Sequence, residues 1–477
     1  MARLGILSVS DGRPGVHHDL EPYVLGVEQG LASALRVRGH EVNCGASVLW
    51  TNESATAEAR RMADWRPDLT IVNISVWAFP HFSSLAARSL RGPLLLLSSL
   101  DPQYPGMVGM LAAAGALDQV GRKHLRAWGD IRDPAVLESV ETAARAAAAV
   151  HALEGLTFGR IGGRPMGMST AVANTDQWMR EFGVDVEEID QWELVRRSES
   201  VSSSRVKAAR SWLERKAAGV HYDGKQLTPE LLERQIRVYY VMRELIDEWH
   251  LDFSGVKGQP ELTTHFCTTD IAEAFLNDPY DWEGPKSVHV CATEADMDGA
   301  LSMELLRRLS GTPVLFSDLR HYHAAEDLWH LSNSGQHATW FAARSDDPDE
   351  NMRHVHLCPQ SFYFPAGGAS VHHLAAPGDF TFARLTRGDG SYRMHVLRGE
   401  IEVRDAEQNE ALMRQATYEW PHAFARIDAD PATILGRYAS NHVHAVPGDY
   451  VAELRQVCYW LGIDFDPFGS ACPRRPM

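Results

Sequence analysis

The sequence predicts an α/β protein with two consecutive Rossmann-like α/β domains, followed by a C-terminal, mostly antiparallel β domain that is barrel-like. Three observations support this prediction. Short apolar runs alternate with helical stretches over the first two-thirds of the chain, which is typical of parallel sheets. Beyond about residue 326, strand-like runs separated by Gly, Pro and Asp favour antiparallel pairing. The length of 477 residues, at about 150 residues per domain, allows three domains.

The first domain is predicted at residues 1–155. An Ala-rich helix at residues 134–153 closes it, and Glu154-Gly155 marks the boundary. Its predicted strands are residues 4–9, 69–74 and 93–98. Its first helix carries apolar residues at spacings of three and four, which predicts one buried face: Leu20, Val24, Val27, Leu31 and Leu35.

The second and third domains are predicted at residues 156–325 and 326–477. A last helix at residues 449–461 closes the third domain. The predicted strands of the second domain are residues 157–163, 184–188, 252–256, 287–292 and 313–319. Those of the third domain include residues 352–358, 380–385 and 392–397.

Composition and charge exclude several classes of function. The formal net charge of -17 opposes contact with nucleic acid or an anionic membrane surface. The six cysteines follow no regular spacing, which predicts reduced thiols rather than disulfides or zinc ligands. No secretory signal or membrane-spanning apolar run is visible, so we expect a cytoplasmic protein without nucleic-acid or membrane partners.

Two carboxylates follow apolar runs, at the position where ligands gather in open α/β sheets. Glu294 follows the run at residues 288–292, and Asp318 follows the run at 313–316. If the two strands are neighbours, these carboxylates approach each other at the rim of the sheet. The alternative is structural: Glu294 would cap the next helix, and Asp318 would pair with Arg320.

A third element supplies imidazole groups. His442 and His444 lie in a segment punctuated by Gly and Pro, just before the last predicted helix. Two carboxylates and one imidazole suit Mn²⁺ or a similar divalent ion better than a closed zinc site. Period-two alternation puts both histidines on one face, so the sequence leaves His444 open as an alternative to His442.

Several segments together resemble the L-fucose isomerase family and, more distantly, L-arabinose isomerases. The resemblance covers most of the chain. It rests on the order and spacing of DGRPGV (11–16), KGQ (257–259), DIAEAFLNDPYDWEG (270–284), ATEADMDGAL (292–301), SGTPVLFSDLRHY (310–322), NSG (333–335), EWP (419–421) and SNHVHAVPGDYVAEL (440–454).

The resemblance implies a metal-dependent aldose–ketose isomerase that acts through a cis-enediol. It assigns the metal to Glu294, Asp318 and His442, with Mn²⁺ expected and Co²⁺ or Mg²⁺ as alternatives. One of the two carboxylates would be the C2 base; a direct hydride shift is the competing chemistry. The substrate-binding positions that it implies are Arg13, Trp77, Gln259, Trp420 and Asn441, although each could instead be a turn, core or interface residue.

The resemblance also implies a homo-oligomer, favouring a hexamer, in which Arg13 and Trp77 act in the site of a neighbouring subunit. The aldose stays open between L-fucose, D-arabinose, L-arabinose and a sugar altered at C6, including a sulfonated hexose. A sugar-binding protein without catalysis is the main alternative. A nicotinamide oxidoreductase is disfavoured, because the GGRPMG run at residues 162–167 lacks the GxGxxG fingerprint.

Overall fold

The computed structural model describes residues 1–334 and 336–471, which divide into two compact units. The first unit comprises Met1–Ala152 and Ala452–Gly462, and the second comprises Leu153–Val451 with the segment that starts at Ile463. Gly335 of the NSG segment and Cys472 lie outside the described residues. The division into three domains, with boundaries after residues 155 and 325, stays a prediction.

The first unit is built on a five-stranded parallel sheet with strand order β2-β1-β3-β4-β5. Its strands are β1 (Arg3–Ser8), β2 (Glu41–Cys44), β3 (Leu69–Asn73), β4 (Leu94–Ser98) and β5 (Leu125–Trp128). Its helices are α1 (Pro14–Val37), α2 (Asn52–Trp65), α3 (Pro80–Ser89), α4 (Gly106–Gln119) and α5 (Pro134–His151). Neighbouring residues of β1 point to opposite faces, so that Ile6 and Leu7 belong to different apolar clusters.

Among the described residues, the second unit has ten α-helices of its own and most of the strands. Its helices are α6 (Thr175–Phe182), α7 (Trp192–Ser198), α8 (Ser203–Lys216), α9 (Pro229–Trp249), α10 (Glu261–His265), α11 (Asp270–Asn277), α12 (Met297–Ser310), α13 (Pro348–Met352), α14 (Ala406–Met413) and α15 (Pro431–Arg437). The last helix of the chain, α16 (Val451–Leu461), falls almost entirely in the first unit, where Glu453 pairs with Arg145 at 2.7 Å.

In the described part of the second unit, the strands form four sheets. They are β6 (Thr157–Ile161), β7 (Asp185–Ile189), β8 (Gly219–Val220), β9 (Phe253–Val256), β10 (Tyr280–Asp281), β11 (Gly284–Pro285), β12 (Cys291–Thr293), β13 (Leu315–His323), β14 (Leu328–Ser332), β15 (His356–Pro359), β16 (Ala369–His372), β17 (Gly378–Gly388), β18 (Ser391–Glu402), β19 (His422–Ile427), β20 (His442–Pro447) and β21 (Asp464–Pro467). A parallel sheet has the order β12-β9-β6-β7, and small sheets join β10 to β11 and β16 to β15 to β8.

The largest sheet closes on itself. Antiparallel pairing runs in the order β17-β20-β13-β14-β19-β18, and β18 pairs again with β17. The result is a six-stranded barrel, with β21 added in parallel to β18. Closure leaves no free edge on the paired strands, and the apolar side chains of Phe382, Leu397 and Ala445 form part of its buried core.

Three local predictions need correction. The strand expected at 287–292 is shorter and later, as β12. The strand expected at 313–319 is β13, which lies in the barrel and does not neighbour β12. Residue 352 ends helix α13 instead of starting a strand, because Asp347 caps a helix that Pro348 opens. Among the described residues, no helix is long and apolar enough to cross a membrane.

Candidate active site

Glu294 is held at the carboxyl end of the parallel sheet in an unusual backbone conformation. Strands β9 and β12 pair in parallel, so the loops that follow them lie side by side. Glu294 and Ala295 both have left-handed backbones, with φ of 58° and 46°. Two consecutive non-glycine residues in this region cost about 1–3 kcal/mol each, a cost that is characteristic of functional sites. In this turn the Glu294 carboxylate accepts a hydrogen bond from Gln259 and does not cap helix α12.

Asp318 and His442 are brought together by the register of the barrel. In the antiparallel pair β13–β20, Asp318 lies directly opposite His442. Side chains of directly opposed residues share one face of the sheet, at Cβ separations of about 4.5–5.5 Å. The barrel therefore supplies one carboxylate and one imidazole on the same face, although more than 120 residues separate them in the sequence.

The three side chains converge in the folded chain. His442 Nε2 lies 3.0 Å from Glu294 Oε2 and 3.6 Å from Asp318 Oδ1. Glu294 and His442 are buried, and Asp318 is half-buried. Glu294 Oε2 and His442 Nε2 face each other without the alignment of a hydrogen bond, and both are buried without a hydrogen-bond partner. Buried polar atoms rarely lack a hydrogen-bond partner unless a ligand or ion binds to them.

The opposite nitrogen of His442 is fixed by a buried carboxylate. A hydrogen bond of 2.6 Å joins His442 Nδ1 to Asp296 Oδ2. Asp296 is held in turn by Arg384, whose Nη1 and Nη2 donate to its two oxygens at 2.7 and 3.0 Å. Asp296 also caps helix α12 through the Gly299 amide. The predicted structural alternative for Glu294 is therefore wrong, because Asp296 is the residue that caps this helix.

Amide side chains orient both carboxylates. Gln259, in the loop after β9, donates from Nε2 to Glu294 Oε1 at 3.1 Å. Asn333 and Asn441 donate to the two oxygens of Asp318, each at 3.0 Å. Each acid thus keeps part of its lone pairs free while its orientation is fixed. Gln259 and Asn441 thus contact the two predicted carboxylates, and their role in substrate binding stays a prediction.

Trp420 is connected to the same hydrogen-bond network through Gln360. Its Nε1 donates to Gln360 Oε1 at 2.7 Å, and the Gln360 amide donates to the carbonyl of Ser334, which follows Asn333. The guanidinium of Arg320 lies over the Trp420 ring at 4.8 Å from its centroid. The indole is largely buried, so that its position is fixed by packing and by this hydrogen bond.

His444 occupies a different environment from His442, although the two rings both contact Phe316. Its Nε2 lies 3.3 Å from Arg384 Nη1, and its Nδ1 is buried without a hydrogen-bond partner. Between the two histidines that the sequence left open, the geometry therefore favours His442 as the partner of the carboxylates.

Comparison with known proteins now assigns the family. Profiles of the first N-terminal, second N-terminal and C-terminal domains of L-fucose isomerase match residues 1–155, 248–311 and 331–468. The chain belongs to the L-fucose isomerase family. The residues described above, from Gln259 to His442, fall within or close to the matched ranges.

Relatives in this family match the chain over nearly its whole length. L-fucose isomerase of Haemophilus influenzae is 25% identical and covers 97% of this chain and 91% of its own length. L-fucose isomerases of Citrobacter koseri and of Escherichia coli strain K12 / DH10B are 23% and 24% identical, over 93% of this chain. At this level of identity the comparison gives the family, and the site geometry must supply the chemistry.

The charges at the site of this family member stabilise a cation between the carboxylates. Burial alone would lower the pKa of His442, but its contacts with Asp296 and Glu294 raise that pKa to about 10. Burial raises the pKa of Asp318, and the neighbouring His442 opposes that rise. A positive charge at His442 Nε2 is therefore strongly favoured in this cluster.

The same donors can hold a divalent metal. No group of three or more His, Cys, Asp or Glu side chains among residues 1–334 and 336–471 is arranged as a formed metal site. Metal–donor bonds of about 2.0–2.2 Å, however, place adjacent donors about 3 Å apart. The separations of 3.0 and 3.6 Å from His442 Nε2 are close to this value. The two buried, unpartnered atoms Glu294 Oε2 and His442 Nε2 also fit such an ion.

The remaining predicted site residues, Arg13 and Trp77, lie in the first unit. Arg13 is the exposed N-cap residue of α1, and Asp11 accepts hydrogen bonds from its Nε and Nη2 at 2.9 and 2.7 Å. Trp77 is half-buried in the segment after β3. Strands β1 and β3 are adjacent, so both residues follow the carboxyl ends of neighbouring strands.

Sequence reasoning missed three residues that shape the site: Asp296, Asn333 and Arg384. Asp296 and Asn333 were noted only as parts of matching segments. Arg384 had a detectable signal, since it is the one charged residue within the apolar run FTFARLT (380–386). A charge in the middle of a buried strand requires a buried partner, and here that partner is Asp296.

Proposed function

We propose that this chain is a metal-dependent aldose–ketose isomerase that uses Glu294, Asp318 and His442. The observation that carries the proposal is the convergence of these three side chains, in which Glu294 Oε2 and His442 Nε2 are buried without a hydrogen-bond partner. Membership of the L-fucose isomerase family supports the same reaction class. Mn²⁺ suits a set of two carboxylates and one imidazole, and Co²⁺ or Mg²⁺ are the alternatives.

The reaction moves a proton between C1 and C2 of an open-chain sugar through a cis-enediol. When bound, a divalent cation supplies Lewis-acid stabilisation of the negative charge that develops on the two sugar oxygens. One of Glu294 and Asp318 takes the C2 proton as general base, and the other exchanges the hydroxyl proton. Gln259, Asn333 and Asn441 keep these carboxylates oriented for that task.

Groups beside Trp420 bear on the choice of sugar. Arg320 is exposed and follows Asp318 on β13, and it lines a cavity of about 560 Å³ with His321, Ser361 and Tyr363. A sugar whose reactive end lies at Asp318 can direct its other end toward this cavity. Cationic Arg320 supports a C6-anionic aldose, such as a sulfonated hexose, beside the neutral L-fucose and arabinose types.

A panel of aldoses tests the proposed reaction. We expect chelator-stripped protein to form little ketose, and added Mn²⁺ to restore turnover with at least one neutral or C6-anionic aldose. The measurement is ketose formation for each sugar, with and without metal. If the chelator leaves sugar binding unchanged and no combination of sugar and metal gives turnover, the result would instead support a non-catalytic sugar-binding protein.

The assembly is the second part of the proposal. Arg13 and Trp77 of one subunit would complete the site of its neighbour in a homo-oligomer, with a hexamer favoured. Trp77 is half-buried in its own unit, so that part of its ring stays available for a contact outside that unit. The other candidate residues lie in the second unit.

Mixing of two inactive variants tests this shared site. We expect Glu294→Ala and Trp77→Ala proteins each to be inactive, and to regain a measurable fraction of activity after dissociation and joint reassembly. Recovery follows because some sites in the mixture receive an intact Glu294 from one subunit and an intact Trp77 from another. Reassembly of each variant alone is the control. If mixed oligomers form but recover no isomerase activity, the site must lie within one subunit.

A further inference from the structure

A second polar cavity of about 470 Å³ lies in the second unit, lined by the segment that joins β6 to α6 and by β17. We call it the arginine pocket, after its residues Arg164, Arg384 and Arg387, which stand beside the hydroxyls of Ser169, Thr170 and Thr386. The GGRPMG run, which matched no dinucleotide fingerprint, supplies Arg164. Three guanidinium groups beside three hydroxyls in a cavity of this size form an uncommon concentration of hydrogen-bond donors.

The charges in the arginine pocket are only partly balanced. Asp298 is its one acidic lining residue, and Arg387 Nε pairs with it at 3.0 Å. Asp298 also accepts hydrogen bonds from Tyr392 Oη and Trp178 Nε1, which commits its other oxygen. Arg164 is exposed, and its side chain makes no hydrogen bond or ion pair with the described residues. One full positive charge thus faces the cavity without a counterion.

Arg384 supplies an independent indication of a missing ligand. Its side chain is 1% exposed, and its two terminal nitrogens are used by Asp296 and by the carbonyl of Thr170. Its Nε, however, is buried without a hydrogen-bond partner. A buried charged donor left unpaired is costly, by more than a neutral group in the same position. An anion in the cavity that this side chain lines would remove that cost.

We propose that the arginine pocket binds a small tetrahedral oxyanion, as free phosphate or as the phosphate of a small phosphomonoester. Guanidinium forks and hydroxyls match the several acceptor oxygens of a phosphate better than the two of a carboxylate. The volume leaves space for a phosphate with a short carbon chain. Asp296 stands between Arg384 and His442, so that this site is separate from the proposed sugar site.

Binding of inorganic phosphate to the full chain tests the proposal. The protein is titrated without added divalent metal, at ionic strength kept constant with chloride, and followed by calorimetry and by Tm. We expect saturable binding and a raised Tm. Arg164→Ala should weaken the affinity by about 10-fold or more, because it removes charged hydrogen bonds to the anion. Arg164 is exposed and makes no hydrogen bond or ion pair with the described residues, so the variant should fold normally and keep the Tm of the wild type when phosphate is absent.

Two matched variants locate the bound anion. Arg215→Ala removes an exposed arginine of α8 in the same unit and should leave phosphate affinity unchanged. Arg320→Ala removes the cation beside the sugar site and should also leave it unchanged. Loss of binding in Arg320→Ala but not in Arg164→Ala would place the anion at the sugar site and overturn the proposal. Absence of saturable phosphate binding would overturn it as well.

Glycerol 3-phosphate distinguishes the two sources of the oxyanion. Tighter binding of glycerol 3-phosphate than of phosphate, lost in Arg164→Ala, would identify a phosphomonoester site. Weaker binding would identify a site for the free anion. Neither measurement depends on isomerase turnover, so a negative result for phosphate binding would not contradict the proposed function.

Discussion

Glu294→Gln and Asp318→Asn are each expected to lower kcat/KM for the aldose by at least about 10³-fold. Each substitution keeps the size and hydrogen-bonding shape of the side chain but removes its charge and its ability to accept a proton. Both the proton transfer and the negative charge around the proposed metal depend on these groups. General acid–base catalysis alone accounts for about 10²–10⁴-fold, and weaker metal binding adds to the loss.

The measurement is initial ketose formation at saturating Mn²⁺, together with the Mn²⁺ affinity of each variant. Asp346→Asn is the matched control, because Asp346 is an exposed carboxylate of the same unit that makes no hydrogen bond or ion pair with the described residues. It should retain the activity of the unmodified protein. Near-normal turnover in Glu294→Gln, with normal folding, would exclude Glu294 from the chemistry.

The parts of the fold that depend on local pattern were predictable from the sequence. Strands β1, β3, β4, β6 and β9 lie within a residue or two of their predicted positions, because buried parallel strands are continuous apolar runs. Helix α12 carries the same kind of local signal, since Met297, Leu301 and Leu305 recur every four residues and are all buried. These elements position the loop that carries Glu294.

The pairing that completes the site was not predictable in the same way. The sequence assigned β12 and β13 to one α/β domain and left open whether they are neighbours, whereas β13 pairs with β14 and β20 in the barrel. Register between strands distant in sequence depends on tertiary packing, and a shift by one residue would turn Asp318 away from His442. The choice between His442 and His444 required this register together with the positions of Asp296 and Arg384.

The buried pair of Asp296 and Arg384 is expected to be essential for the stability of the second unit. Arg384→Met should lower the free energy of unfolding by about 3–5 kcal/mol, because it leaves the charge of Asp296 buried and without its guanidinium partner. The side chains of Arg384 and Asp296 are 1% and 0% exposed, so water cannot replace the lost partner. Gly299, in the first turn of helix α12, packs against this pair, and a Cβ added to it would lie 2.6 Å from Arg384 Nη1.

Denaturant unfolding of paired variants measures this effect. Arg398→Met removes a comparable arginine from β18, where the ion pair with Asp449 is exposed, and should cost less than about 1 kcal/mol. The double variant Asp296→Asn with Arg384→Met should be more stable than Arg384→Met alone, since no buried charge is then left unpaired. If Arg384→Met and Arg398→Met lower the free energy of unfolding equally, burial of the Asp296–Arg384 pair has no effect on stability.

Asp296→Asn separates the stability of this pair from its role at the site. The amide keeps a hydrogen bond to His442 Nδ1 within reach but removes the charge that orients the imidazole and raises its basicity. Loss of such a carboxylate partner typically weakens metal binding by about 10–100-fold. We therefore expect weaker Mn²⁺ affinity in Asp296→Asn, measured at a temperature where the variant is fully folded. Unchanged affinity in the folded variant would mean that Asp296 serves only to neutralise Arg384 and to cap α12.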